Sequence, residues 1–226
     1  MRVVLFGASG MVGQGVLREC VLDPGVTAVV SVVRRASAPA LGRRSEKVRE
    51  VVAHDLSDLS RVEGHLMGCD ACFFCAGVSA IGMKEQDYRR VTYDLTLSAA
   101  RTLFRLNPTT ASSGMTFIYV SGAGTNSNGR AMWARVKGET EDWLLSMGFK
   151  AAYMFRPAMI VPRDGIVSKT KAYRLLYAAL RRVLPLLLWR FPHYVTTTDQ
   201  LGRAMIAVAR HGYAKPVLEA EDIARV

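Results

Sequence analysis

The sequence predicts a doubly wound α/β domain, with a parallel sheet between two layers of helices and a small C-terminal cap. Short β-branched apolar segments alternate with segments of helical spacing along most of the chain, a pattern typical of parallel sheets. Connections between such strands are right-handed, which places helices on both faces. Half of the residues in the chain are hydrophobic, enough for the core of one domain spanning residues 1–226.

The first strand and the first helix have the clearest patterns. Residues 2–6, RVVLF, form a β-branched run, and residues 11–23 repeat apolar positions at helical intervals. Pro24 and Gly25 follow, and both residue types end helices. The same patterns predict strands in 26–33, 47–55 and 70–77 and a short helix in 55–66.

The alternation continues through the middle of the chain. Residues 84–107 carry apolar positions three and four apart, so we predict one long helix there. A strand in 114–122, a helix in 129–148 and a strand in 150–157 follow by the same reasoning. We therefore place the core sheet within residues 1–156.

The pattern loosens after the sixth strand. We expect residues 157–226 to form a cap and closing elements over the sheet rather than an independent domain. The elements expected there are a helix in 170–191 up to Pro185, a helix in 196–212 capped by Thr198 or Asp199 and ended by Gly212, and a short strand in 215–220.

A glycine-rich turn joins the first strand to the first helix, with the spacing G-x-x-G-x-x-G. A pyrophosphate needs a tight turn, a close backbone approach and a helix N-terminus directed at its charge. In this strand–turn–helix context the motif predicts a Rossmann-like dinucleotide site. The residues expected to hold the cofactor there are Gly7, Ser9, Gly10, Met11, Val12 and Gly13.

Two arginines, Arg34 and Arg35, end the second strand. An NAD-binding fold usually has an acidic residue here, which binds the ribose hydroxyls. Guanidinium groups instead bind a 2′-phosphate through charge-assisted hydrogen bonds. We therefore favour NADP(H) over NAD(H), with a solvent-exposed arginine pair as the alternative.

The third and fourth strands end in HDL and CAG, at the sheet edge where ligands of such folds bind. We expect Asp55 and Leu56 to meet the adenine, and Ala76 and Gly77 to pass under the ribose. Ordinary strand-end contacts are the alternative for each of the four.

The formal net charge of +11 favours anionic partners such as nucleotides, acidic lipid or nucleic acid. Residues 34–49 hold six of the basic residues against one Glu. No nucleic-acid module is recognisable, so nucleic acid is not expected as a partner. The apolar and basic residues 173–191 fit either an interfacial helix on an anionic membrane or a cap or homodimer helix over the substrate cleft.

Three cysteines, Cys69, Cys72 and Cys75, are spaced like metal ligands. In a buried strand the side chains alternate, so Cys69 and Cys75 would face one way and Cys72 the other. We therefore expect core thiols and no metal. The start of the chain, MRVVLFGASG, does not have the pattern of a signal peptide, and no apolar run approaches the roughly 20 residues of a membrane span. A cytoplasmic location is expected.

Together these features resemble the short-chain dehydrogenase/reductase superfamily, and among its members the extended and atypical NAD(P)-dependent epimerase/dehydratase-like proteins. The resemblance covers nearly the whole chain and is specific for the fold and for dinucleotide binding, but not for a substrate. The segments that carry it are GASGMVG, HDL, CAG, YRRVTYDLTLSAA, YVSGAG, the lysine of WARVK, and RPAMIVP.

The resemblance also implies a catalytic set of asparagine, serine, tyrosine and lysine. Ser121 and Lys137 match the serine and lysine, whereas Thr92 stands at the asparagine position and Trp133 at the tyrosine position. Ser121 would donate to a carbonyl oxygen and Lys137 would bind the nicotinamide ribose. The alternatives are a serine bonded to backbone and an i,i+4 pair of Lys137 with Glu141.

The RPAMIVP segment implies that backbone near Pro157 and Ile160 meets the nicotinamide amide. Arg156, which precedes them, has a second interpretation as the partner of an acid within the fold. Trp133 is the main departure from the family, because an indole N–H donates a hydrogen bond but does not ionise usefully. Tyr93 and Tyr194 are candidate substitutes for the missing phenol.

Two functions remain open from the sequence. The first is an atypical NADP(H)-dependent oxidoreductase or epimerase-like enzyme acting on a small molecule, with Trp133 shaping the pocket. The second is a catalytically impaired protein that binds NADPH and reports its state to a partner.

Overall fold

A seven-stranded parallel sheet organises the described part of the chain, which is residues 1–36, 45–110, 114–163 and 195–226 of a computed structural model. The strands are β1 Arg2–Phe6, β2 Ala28–Val33, β3 Val48–Val52, β4 Ala71–Phe74, β5 Thr116–Val120, β6 Ala151–Arg156, β7 Met159–Val161, β8 Val195–Thr197 and β9 Val217–Glu219. The main sheet has the order β3-β2-β1-β4-β5-β6-β9, and β7 and β8 form a separate parallel pair.

Helices connect these strands. They are α1 Met11–Leu22, a 3₁₀ turn Ser60–Val62, α2 Glu63–Leu66, α3 Glu85–Arg89, a π-helical turn Arg90–Asp94, α4 Leu95–Leu106, α5 Met132–Ser146, α6 Thr198–His211 and α7 Ala220–Arg225. Within the described ranges, no helix combines the length and the apolar character needed to cross a bilayer.

The strand order reverses next to β1. The chain runs outward from β1 to β2 and β3, then returns to β4 on the other side of β1 and continues to β5 and β6. At such a reversal the connections leave in opposite directions and open a crevice at the carboxyl ends of the strands. Phe6, the last residue of β1, lies between Val32 and Phe74 at this end of the sheet.

The side chains of β1 divide between two buried layers. Val4 and Phe6 pack in the layer that contains α2, α4 and α5, whereas Val3 and Leu5 pack in the layer of α1, α6 and α7. All four side chains are fully buried. A strand covered on both faces must be apolar at every position, which explains the uninterrupted run and confirms the doubly wound arrangement.

The helix and the short strand predicted in the C-terminal residues are both present, but they do not form a separate cap over the sheet. Helix α6 packs directly on α1, so closely that a Cβ added to Gly15 would lie 2.5 Å from the Cβ of Thr198. Strand β9 extends the main sheet beyond β6. The core sheet therefore includes residues after 156, because these elements complete layers begun by the N-terminal half. Residues 173–191 lie outside the described ranges.

Two local predictions of helix structure need correction. The helix predicted in 84–107 is interrupted by the π-helical turn Arg90–Asp94, through which the apolar spacing continues. The cap of α6 is Thr197 rather than Thr198 or Asp199, because the Thr197 hydroxyl accepts from the Gln200 backbone N–H at 3.4 Å. Gly212 ends the helix as expected, with a φ of +75°.

The cysteines also lie differently from the expectation. Cys69 precedes β4 and packs with Cys72 on one side of the sheet, whereas Cys75 contacts the opposite layer. The alternation argument fails because only Cys72 belongs to the strand. Burial raises the pKa of all three thiols, that of Cys69 to about 11, so they remain protonated core groups at neutral pH.

Candidate functional site

A cleft of about 750 Å³ opens where the strand order reverses. Its walls are the carboxyl ends of strands β1 to β6 and the segments that follow them, together with side chains from the neighbouring helices. The residues that line it are Gly7, Ala8, Ser9, Gly10, Met11, Val12, Val32, Val33, Arg34, Leu56, Cys75, Ala76, Gly77, Val78, Ser79, Ala80, Ile81, Tyr88, Val91, Leu95, Val120, Ser121, Gly122, Ala123, Trp133, Lys137, Pro157, Ala158 and Ile160.

The glycine turn at one end of the cleft fits only glycine at two positions. Gly7 has a φ of +84°, and a Cβ on it would lie 2.6 Å from the backbone nitrogen of Ala76. A Cβ on Gly13 would overlap the carbonyl oxygen of Gly7. The turn is closed by a 2.9 Å hydrogen bond from the Gly10 N–H to the same oxygen. These contacts hold the backbone flat against the end of β4.

The N-terminus of α1 faces the cleft without a side-chain cap. Gly10 is the capping residue, and Met11 and Val12 of the first turn line the cleft. The first turn carries no acidic residue, so the positive end of the helix dipole is not compensated. A narrow backbone turn and an open helix N-terminus fit a pyrophosphate, so the chain's residues fit a dinucleotide.

The two arginines after β2 occupy different places. Arg34 lines the cleft, whereas Arg35 is exposed and lies outside the lining. His54 lies beside them, with Nδ1 3.2 Å from the Arg34 carbonyl oxygen. No Asp or Glu is present among the described lining residues. Arg34 therefore stands at the cleft without a carboxylate to repel a phosphate.

The two residues predicted near the adenine are also separated by the structure. Leu56 is buried in the cleft wall, whereas Asp55 is exposed outside it. Hydrogen bonds from Ser57, one of them from the backbone at 2.8 Å, lower the pKa of the Asp55 carboxyl. Ala76 and Gly77 lie in the lining as expected.

Ser121 and Lys137 meet near the other end of the cleft. The Lys137 Nζ donates to the backbone carbonyl of Ser121, and the Ser121 hydroxyl donates to the Phe155 carbonyl at 3.2 Å. Burial lowers the pKa of Lys137 from 10.5 to about 8, although the charge of Glu141 acts in the opposite direction. The serine and the lysine of the predicted catalytic set are therefore both present at the cleft, each bonded to backbone.

Glu141 forms its ion pair with Arg156 rather than with Lys137. Glu141 is only 1% exposed, and the Arg156 Nε lies 3.1 Å from its Oε1. The same guanidinium reaches Glu219 on β9, with 3.0 Å between Nη1 and Oε1. Arg156 thus pairs with acids of the fold, the second of its two interpretations.

Trp133 and Thr92, the two positions that depart from the family's catalytic set, differ in whether they reach the cleft. Trp133 lines the cleft, and its indole ends 3.5 Å from the position that a Cβ on Gly124 would take. Thr92 is 4% exposed, lies in the π-helical turn and is not part of the lining. The structure therefore brings together Ser121, Lys137 and Trp133, but not Thr92.

Neither candidate substitute for the phenol reaches the cleft in the described residues. The ring of Tyr93 lies under the Arg89 guanidinium, 4.2 Å from its carbon, and is not part of the lining. Tyr194 is outside the described ranges. Tyr88 does border the cleft, but it is 1% exposed and burial raises its pKa.

The segment between β4 and α3 was missed by the sequence reasoning. Val78 and Ile81 of this loop line the cleft, with exposures of 46% and 77%. Neither residue belongs to a strand, a helix or a motif. The one signal in the sequence that could have identified them is the presence of apolar residues in a loop directly after CAG. Pro157 and Ile160, which were predicted, also belong to the lining.

Curated relatives resemble about 70% of the chain. A protein of Emericella nidulans named "Protein fmp52, mitochondrial" is 28% identical over 163 residues, 70% of this chain and 66% of the relative. A Saccharomyces cerevisiae protein of the same name is 26% identical over 164 residues, again 66% of its length. The match thus spans just under two thirds of these relatives. Because they are named as mitochondrial proteins, the expectation of a cytoplasmic location is wrong.

Solved structures share the fold at low identity. The reductase domain of PhqB from Penicillium fellutanum has a TM-score of 0.69 and 16% identity, covering 97% of this chain and 66% of that one. The Bordetella bronchiseptica enzyme WbmF, solved in complex with NAD⁺, has a TM-score of 0.65 and 14% identity, with coverage of 99% and 76%. These likenesses confirm the Rossmann-like fold.

A family profile matches more than half of the chain and assigns it to a protein family. The profile of the NAD-dependent epimerase/dehydratase family, whose members bind NAD(P), matches residues 3–132. The matched range includes the glycine turn, the ends of β2 and β4, and Ser121. The resemblance inferred from the motifs is confirmed: the chain belongs to the NAD-dependent epimerase/dehydratase family.

Proposed function

We propose that the protein binds NADP(H) in the cleft and acts as an oxidoreductase or epimerase-like enzyme on a small molecule. One observation carries the proposal: a single cleft joins a dinucleotide-type glycine turn to Ser121 and Lys137. A hydroxyl and a lysine ammonium beside one cleft wall are the groups that could polarise a substrate oxygen and hold the cofactor ribose next to it.

Arg34 supports NADP(H) rather than NAD(H). It is a cation in the lining, it follows the second strand, and no carboxylate is described beside it in the cleft wall. A 2′-phosphate would gain a charge-assisted hydrogen bond there, whereas an NAD ribose would lack its usual acidic partner.

The chain's own residues would position the reacting groups. The nicotinamide, when bound, supplies or accepts the hydride. Lys137 would turn from the Ser121 carbonyl toward the ribose hydroxyls, and the Ser121 hydroxyl would leave the Phe155 carbonyl to donate to the substrate oxygen. Trp133 would form the wall beside the substrate, and its indole N–H would not supply the proton that completes carbonyl reduction. That proton would come from the Lys137 ammonium, whose pKa is about 8, by way of the Ser121 hydroxyl.

Binding and turnover should be tested separately. We expect calorimetry to show NADPH binding to the wild-type protein, and a panel of aldehydes and ketones to include compounds that oxidise NADPH. Lys137→Ala should abolish that turnover, while Lys150→Ala, which removes an exposed lysine, should leave it unchanged. An absence of NADPH binding would overturn the proposal, and binding without turnover on any compound would overturn its catalytic part.

A second function is favoured by Trp133. The resemblance puts Trp133 at the position of the family's tyrosine, and the residue lines the cleft. A protein that only binds NADPH and signals its state would tolerate the loss of that acid. Trp133→Tyr distinguishes the two functions. Appearance of reductase activity only in the variant would favour the sensor, whereas activity already present in the wild-type protein would favour the enzyme.

A further inference from the structure

The loop after β4 exposes two apolar side chains into the cleft. Ile81 is 77% exposed and Val78 is 46% exposed, and both belong to the cleft lining. Single apolar residues on a convex surface are common and need no explanation. Here, however, two exposed apolar residues lie on one short loop and line a concave site that we propose binds a cofactor and a substrate. This arrangement indicates a surface for an apolar ligand.

Both ends of this loop are fixed. At its start, the Cys75 N–H donates to the Phe6 carbonyl at 3.0 Å, which holds the loop against β1. At its end, Glu85 accepts from the Arg135 Nη2 at 2.8 Å and 2.7 Å, which joins α3 to α5. Arg135 is two residues from Lys137 on α5, so the loop crosses from the glycine turn toward the helix that carries the reactive groups.

The loop itself has little polar capacity toward a ligand. Ser79 contributes the loop's only side-chain hydroxyl, and its Oγ accepts from the Ile81 N–H at 3.4 Å. Gly77 and Gly82 flank the apolar pair, and a Cβ on either would meet no heavy atom within 4 Å. Val78 and Ile81 are therefore the largest apolar side chains that the loop contributes to the cleft lining.

The part of the lining with no proposed cofactor contact is also mostly uncharged. Trp133, Ala158 and Ile160 belong to it. In the described lining, the charged side chains are Arg34 and Lys137, and we have proposed cofactor contacts for both. A substrate with a phosphate or carboxylate would thus lack a cation of its own in this part of the wall, and its desolvation would be unfavourable.

We infer that the substrate is a carbonyl compound, or the corresponding alcohol, with an uncharged apolar chain that packs against Val78 and Ile81. The inference rests on the proposed function and names its substrate class. Each methylene buried against this wall should raise kcat/KM about fourfold, until the chain extends beyond the two side chains.

The test uses straight-chain aldehydes from propanal to nonanal, with succinic semialdehyde as a charged probe. We expect kcat/KM for NADPH oxidation to rise with chain length and to be lowest for succinic semialdehyde. Ile81→Asn should lower kcat/KM about tenfold for nonanal and leave propanal nearly unchanged. Because Ile81 is so exposed, the variant should fold; Gln86→Asn, an exposed change on α3, is the matched control.

A binding measurement separates this inference from the proposed function. Calorimetry should show that nonanol binds to the NADP⁺-loaded protein. Ile81→Asn should lower the affinity for nonanol about tenfold, while the affinity for NADPH should be the same in the wild-type protein and the variant. Intact NADPH binding with no nonanol binding, equal kcat/KM along the series, or a preference for succinic semialdehyde would overturn the apolar substrate alone. Absence of NADPH binding would overturn the proposed function as well.

Discussion

Lys137 on α5 donates its Nζ hydrogen bond to the backbone carbonyl of Ser121, the residue that follows β5. This contact ties the helix to the sheet edge and leaves the ammonium beside the cleft. Burial lowers the Lys137 pKa to about 8, so the protonation of this group changes close to neutral pH.

The Lys137 pKa predicts a pH dependence of stability. The unfolded chain retains the proton up to about pH 10.5, whereas the folded chain releases it near pH 8. Between these values the unfolded state binds more protons, so the free energy of unfolding contributed by this group rises with pH, by up to about 3 kcal/mol. Urea unfolding from about pH 7 to pH 11 should show this rise relative to Lys137→Met. Parallel curves for the two proteins would contradict the shift, and Lys150→Met is the control.

Gly13→Ala should disrupt the turn that faces the proposed cofactor. The new methyl group would overlap the Gly7 carbonyl oxygen, so α1 must move away from the turn. We expect a loss of about 1–3 kcal/mol in the free energy of unfolding and at least tenfold weaker NADPH binding, measured by urea unfolding and calorimetry. Gly64→Ala is the control, since a Cβ there meets nothing within 4 Å. Equal behaviour of the two variants would show that the close contact does not matter.

Arg34→Ala should change the cofactor preference, and Arg35→Ala should not. Arg34 lines the cleft and Arg35 does not. Losing a charge-assisted hydrogen bond to a 2′-phosphate corresponds to about 1.5–3 kcal/mol, so NADPH affinity should fall at least tenfold while NADH affinity changes little. Calorimetry with both nucleotides measures this. Equal losses of affinity for NADPH and NADH would contradict the assignment of Arg34 to the 2′-phosphate.

Arg156→Met should be strongly destabilising. It would leave the Glu141 carboxylate, 1% exposed, buried without its partner, and such a change lowers the free energy of unfolding by about 3–5 kcal/mol. Adding Glu141→Gln should recover part of that loss, because the buried charge is then removed. Arg225→Met breaks an exposed pair with Glu221 and should change stability by less than about 1 kcal/mol. A small effect of Arg156→Met, no larger than this control, would contradict the buried-pair argument.

The sequence predicted those parts of the molecule that local constraints determine. The turn at Gly7 and Gly13 could be recognised because a backbone approach within 3 Å excludes every side chain. The apolar runs of β1 and β4 were clear because both faces are covered. The placement of Ser121 and Lys137 followed from the family resemblance rather than from their local sequence.

Features set by distant packing were not predictable. β9 is only three residues long. The sequence predicted a short strand in residues 215–220, but the place of that strand beside β6 depends on the whole sheet. Val78 and Ile81 became part of the cleft wall only because the loop crosses toward α5, where Glu85 meets Arg135. The separation of Arg34 from Arg35, and of Leu56 from Asp55, likewise depends on how each strand end turns.

The contact between Gly7 and Gly13 has a consequence for the way a nucleotide binds. The turn is closed by a hydrogen bond of its own backbone, from the Gly10 N–H to the Gly7 carbonyl, and it is packed against Ala76. A pyrophosphate therefore meets a preorganised surface, and little backbone entropy is lost on association. Affinity differences between nucleotides should accordingly arise in their dissociation rates, from the contacts made at Arg34 and Lys137 once the turn is occupied.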